Sequence, residues 1–262
     1  MTKEDIAFCK ALIIHAAEHI LPIFENQERE INLKNGISQF RNVNGTVTAL
    51  IRPELAKRFP SVAWSEDEFN TSKQHNNKKK EYWVCDTIDG GIHFMQGFSP
   101  WCITLALVNQ GETTFSIVYE PVRKELFHAI KNGGAFLNDA SIVVGNKNNF
   151  NEAIIGSSHP NNLAEDIETT EKCMMTLKLL SKKVFAFRLM GPASLQLAYV
   201  AAGRLDGYIE HGDDIYDWLA GALIVTEAGG LVNSINGNKF SFGSLGIIAS
   251  CSNIQAKLLL CH

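Results

Sequence analysis

The chain has 262 residues, a length for one or two domains. Its 24 Lys and Arg against 28 Asp and Glu leave a net charge of −4, and 45% of residues are hydrophobic against 20% charged. That balance excludes a disordered chain and argues against a nucleic-acid partner, and no apolar run approaches the roughly 18 uninterrupted residues of a membrane span. Glu4 and Asp5 stand where a signal peptide carries basic and then apolar residues, so a cytoplasmic protein is expected. The cysteines (Cys9, Cys85, Cys102, Cys173, Cys251 and Cys261) form no CxxC pair and read as buried reduced thiols, with no role in chemistry.

The first element is a helix, since Ile6, Cys9, Leu12, Ile13, Ala16, Ile20 and Phe24 recur at helical spacing. Thr2 and Asp5 can form a capping box at its start. A polar, Asn- and Gly-rich stretch follows, and the spacing predicts a second helix from about Val47 to Phe59. Residues 70–80, with Lys78, Lys79 and Lys80, read as a solvated loop. Strands are expected over 82–88, 103–108, 113–119 and 125–130, with a hairpin at Asn109-Gln110-Gly111-Glu112. After about residue 150 strands and helices alternate. Strands are expected at 153–157, 184–190, 206–210 and 246–251, and helices at 162–180, 193–202, 217–228 and 253–260. The division is a 1–148 α+β half and a 149–262 α/β half, forming one unit with sheets covered by helices.

The chemistry concentrates in Trp83-Val84-Cys85-Asp86-Thr87-Ile88-Asp89-Gly90-Gly91. An apolar strand delivers two aspartates to its end, and a turn beginning at Ile88 can bring them to one side. Two close carboxylates repel and favour a hard cation between them, Mg²⁺ or Mn²⁺. The two glycines let backbone N–H groups approach an anion such as phosphate. Taken alone, the segment fits an ordinary Asp-Gly turn as well. Ser65-Glu66-Asp67-Glu68 is a second acidic cluster, and Tyr216-Asp217-Trp218-Leu219-Ala220-Gly221-Ala222 opens an apolar helix with an aspartate.

Together these segments resemble the inositol monophosphatase family of metal-dependent phosphomonoesterases. Ser65-Glu66-Asp67 matches a Gly-Glu-Glu segment. The stretch from Trp83 to Phe94 matches Trp-x-x-Asp-Pro-Ile-Asp-Gly-Thr-x-Asn-Phe with changes. The stretch from Tyr216 to Gly230 matches Trp-Asp-x-Ala-Ala-Gly-x-x-Ile-x-x-Glu-Ala-Gly-Gly. The resemblance implies a layered αβαβα sandwich of the inositol monophosphatase and fructose-1,6-bisphosphatase type, two to three Mg²⁺ ions (or Mn²⁺) and a homodimer. It implies Glu66, Asp86, Asp89 and Asp217 as metal carboxylates, with the Ile88 carbonyl as a backbone ligand. Glu66 also helps deprotonate the attacking water, and Glu66 and Asp89 are the catalytic pair. The amides of Gly90, Gly91 and Ile92 cradle the phosphate, while Gly191, Ala193 and Glu210 face the alcohol part.

Four of the chain's departures from the pattern bear on the site. Gly91 replaces the Thr whose hydroxyl orients water, and Asn44 aligns with the Asp that supports that hydroxyl. His93 replaces Asn, either as a chemical group or as a structural ring, and Tyr216 replaces Trp. The expected function is Mg²⁺-dependent hydrolysis of a small sugar or polyol phosphate, inositol monophosphate by default. The alternative is a catalytically weak member that binds metal and phosphate, or serves as a protein-interaction module.

Overall fold

The computed structural model describes residues 1–26, 32–66, 71–74, 80–160 and 163–261. Helix α1 (Lys3–Asn26) starts on the expected capping box, in which the Asp5 amide donates to Thr2 Oγ1 at 3.1 Å and the Thr2 amide to Asp5 Oδ2 at 3.0 Å. By length and composition α1 could cross a membrane, yet its stripe Cys9, Leu12, Ile13, Ala16, Ala17 and Ile20 is buried inside the fold. Helix α2 (Leu33–Arg58) begins fourteen residues earlier than expected, because Asn32 caps it by accepting the Lys34 amide at 2.9 Å. The polar composition hid this start, but buried Val43, Val47, Ile51 and Leu55 recur every fourth residue and hold the helix on the sheet. Asp67, Glu68 and most of the lysine run lie outside the described residues; Lys80 is exposed.

Seven strands lie side by side in chain order: β1 (Ala63–Trp64), β2 (Glu81–Asp89), β3 (Cys102–Asn109), β4 (Glu112–Glu120), β5 (Glu125–Ile130), β6 (Gly134–Leu137) and β7 (Ala140–Ser141). β1 runs parallel to β2 and every other pair is antiparallel. The β3–β4 hairpin turns at Gln110 and Gly111, both with positive φ (51° and 78°), which matches the twist of the strands. Short α3 (Thr71–Gln74) lies between β1 and β2, and α4 (Gly91–Gln96) follows β2 directly.

The second sheet has the order β11 (Leu231–Ser234), β12 (Gly246–Ser250), β10 (Gly207–His211), β8 (Ile154–Ser157), β9 (Ala186–Leu189). Between its strands run α5 (Ile167–Leu180), α6 (Ala193–Ala201) and α7 (Tyr216–Glu227), with α8 (Ser252–Leu258) closing the chain. Strands β1, β6, β7 and β11 were not foreseen; they are short, and burial along them is incomplete.

Three apolar clusters order these elements into layers. On β2, Trp83 and Cys85 pack with α1 and α2, while Tyr82 and Val84 pack with α6 and α7. The α6–α7 layer also meets Tyr208, Ile247 and Ala249 of the second sheet. Beyond that sheet, α5 and α8 bury Ile155, Ile209 and Ile248. The result is the αβαβα sandwich. All six cysteines are buried and unpaired. Replacing Thr2→Ala should lower unfolding stability by about 1 kcal/mol, read from urea denaturation, through loss of the α1 cap.

Candidate active site

In an unbroken strand, residues three apart point to opposite faces. β2 is not unbroken: its pairing with β3 runs through Asp86–Thr104 and resumes at Asp89–Cys102, so three steps on β2 oppose two on β3. The extra residue turns Asp86 and Asp89 to the same side. The Ile88 amide donates to Asp86 Oδ1 at 3.0 Å and stabilises the bend. Asp89 is then held by the start of α6, where the Ser194 amide donates to Oδ2 at 3.1 Å and the Ser194 hydroxyl donates to the same oxygen. The first turn of α7 brings Asp217 to the same point. One oxygen from each of Asp86, Asp89 and Asp217 lies within 4.8 Å of the others.

Burial pushes the Asp89 carboxyl up to about 6, against the Ser194 hydrogen bonds that favour its charge. Burial, with the charges of Asp214, Asp89 and Asp86, pushes Asp217 well above the carboxylate range. Burial likewise raises Glu210 to about 7, although Tyr208 and Trp218 donate to it at 2.7 and 2.5 Å. Hard oxygen donors gathered at mutual cost fit a divalent cation.

The aspartates lie in a cavity of about 870 Å³ that Ile88, Gly90, Gly91, Ile92, Gly191, Ala193 and Glu210 also line. Gly90 caps α4 with φ +90° and a Cβ there would meet Pro192 and Trp101 at 3.3 Å, so this turn requires glycine. The amides of Gly91 and Ile92 open the first turn of α4, where helical partners are lacking. Glu66 is not among the described lining residues. Its Oε1 pairs with Arg52 at 2.5 Å and its side chain is 60% exposed. Its neighbour Ser65 is nevertheless tied to the site, 2.5 Å from the Tyr216 hydroxyl. The sequence reading missed Asp214, which lines the cavity and accepts from Gln74 at 3.0 Å; its spacing of three from Asp217 was the available signal.

The inositol monophosphatase family model matches residues 2–262. This chain belongs to the inositol monophosphatase family. It is 34% identical to an inositol-1-monophosphatase of Rhizobium meliloti over 79% of this chain and 76% of that protein. It is 31% identical to the Nus factor SuhB of Vibrio cholerae over 94% and 91%. The solved extragenic suppressor protein SuhB of Bartonella henselae superposes with a TM-score of 0.83 at 27% identity, covering 98% of both chains. Within this family frame, Tyr216 retains a site contact through Ser65, and the Gly91 change acquires a cause. A Cβ at Gly91 would lie 2.8 Å from Cε2 and Cζ of Phe40, so the ring of α2 occupies the room of the expected Thr side chain. Asn44, on the same helix, is buried.

Two outcomes follow from this geometry. The raised carboxyls make the folded chain hold more protons than the unfolded one between about pH 4 and pH 7, so stability falls as pH rises through that window. A divalent cation binds the ionised, folded site, so in thermal melts roughly 10 mM Mg²⁺ should raise Tm more at about pH 7.5 than at about pH 5. Gly91→Thr should cost about 1–3 kcal/mol through its clash with Phe40, and Phe40→Val should recover part of that in a double-mutant cycle on denaturation.

Proposed function

We propose that the chain is a divalent-cation-dependent phosphatase of small phosphate monoesters, using Mg²⁺ or Mn²⁺. The observation that carries this reading is the meeting of Asp86, Asp89 and Asp217 in one cavity beside the free amides of α4. Asp86, Asp89 and Asp217 would hold the cations, with the Ile88 carbonyl beside them, and the first-turn amides would take the phosphate oxygens. When bound, the cations supply Lewis-acid polarisation of the phosphate and activation of a water. Glu66 completes the acidic set by leaving Arg52, since an exposed ion pair is worth only about 0–1 kcal/mol and does not hold it away. From there it takes the proton of the attacking water. Glu210, Gly191 and Ala193 face the alcohol part. The unpaired buried cysteines support a reducing, cytoplasmic setting. Inositol monophosphate is the first ester to test.

Phe40 over Gly91 favours a second reading, a family member of low turnover that keeps cation and phosphate binding. Phosphate release from a panel of esters with Mg²⁺, Mn²⁺ or a chelator separates the two. Ser194→Ala should lower kcat/KM by about 10–100-fold as a supporting contact, and Asp89→Asn should lower it further. Asp89→Asn should keep or raise the cation-free Tm at neutral pH, because it removes a buried charge that burial opposes. Equal activity in Asp89→Asn and the parent would end the assignment of Asp89.

A further inference from the structure

Exposed apolar side chains line part of the acidic cavity. Ile37, Ile92, Phe98 and Leu189 are 36%, 51%, 47% and 39% exposed, and all four line it. Apolar surface left open on a cleft wall marks a place where an apolar group binds.

The aromatic part of this lining is the pair His93–Phe98, with ring centroids 4.4 Å apart and planes tilted by 41°. His93 is fixed in place: its Nδ1 donates to the Pro100 carbonyl at 2.5 Å. Its other edge faces Gly191, where an added Cβ would come 4.0 Å from Cε1 and Nε2. The missing side chain at Gly191 leaves that edge accessible from the cavity.

Part of the polar lining of the cavity is already engaged. Glu210 accepts from Tyr208 and Trp218. The Ser158 hydroxyl donates to the Met190 carbonyl at 2.9 Å, lies 2.9 Å from the Tyr208 hydroxyl and accepts from Gln196 at 3.3 Å. A ring carrying hydroxyls on every edge would lay several of them, unpaired, against apolar carbon, at a desolvation cost.

We propose that the substrate of this site is a phosphate monoester whose alcohol part carries a flat apolar or aromatic ring, seated against Phe98 and His93. This rests on the phosphatase reading above. The ring buries the open wall, and aromatic pairing with Phe98 adds to that burial. The test is calorimetric titration, with Mg²⁺ present, of 2-phenylethylphosphonate against ethylphosphonate, which differ only in the ring. The expected result is roughly tenfold tighter binding of the phenyl compound. Phe98→Ala should abolish the ratio and Phe98→Tyr should keep it. Equal binding of the two, or a ratio that survives Phe98→Ala, overturns the proposal. So does equal binding with a Phe98→Ala shift in oligomeric state, which would mean that a second copy covers the wall. Hydrolysis of 2-phenylethyl and ethyl phosphate runs in parallel. A binding ratio without hydrolysis of either ester supports the ring site and counts against the phosphatase reading. Hydrolysis of both at equal kcat/KM counts against the ring site and leaves the phosphatase reading intact.

Discussion

Three carboxylates held within 4.8 Å of one another are the constraint around which the fold is arranged. Left to themselves, such groups would move apart or take up protons; burial is the main force that raises Asp89 and Asp217, and at Asp217 the charges of Asp214, Asp89 and Asp86 add to it. Each is therefore anchored from a different direction. Asp86 is turned by the bulge in β2, Asp89 is gripped by Ser194 at the head of α6, and Asp217 rides on the first turn of α7. Only a rigid frame keeps these three directions fixed.

That frame is the middle layer. Every residue of α6 is buried, and most of α7 is as well. A helix apolar on all sides is stable only with partners on all sides. Here the partners are the two sheets, Tyr82, Val84 and Val118 on one side and Tyr208, Ile247 and Ala249 on the other. The cluster of aspartates lies where this layer meets the end of β2. Packing of the two sheets on this layer thus brings the site together.

The cavity combines an acidic end with an apolar lining. Phe40 fills the space beside Gly91, His93 and Phe98 pair on the cavity wall, and Asp214 adds a carboxylate. The cavity thus offers apolar contact beside the carboxylates proposed to hold cations. Electrostatic capture of a phosphate and a cation can persist while the alcohol that fits beside them changes, because the two ends of the cavity belong to different elements.

Much of this protein could be read along the chain. The apolar runs of β2 to β5, the helical stripe of α1, its capping box and the Gln110-Gly111 turn are local signals, and their elements came out within a few residues. Asp86, Asp89 and Asp217 were legible through the family resemblance of their two segments, because the Asp86–Asp89 segment taken alone fits an ordinary Asp-Gly turn as well. The start of α2 was not legible, since Asn and Gly have low helix propensity. Nor could the chain show that Phe40 stands over Gly91, that Glu66 pairs with Arg52, or that Ser194 holds Asp89. Those contacts join residues on separate elements, and their distances come into being only when the layers pack. Sequence determined which groups are charged, apolar or able to turn. Tertiary structure decided which of them meet, because proximity across layers is set by packing and not by spacing along the chain.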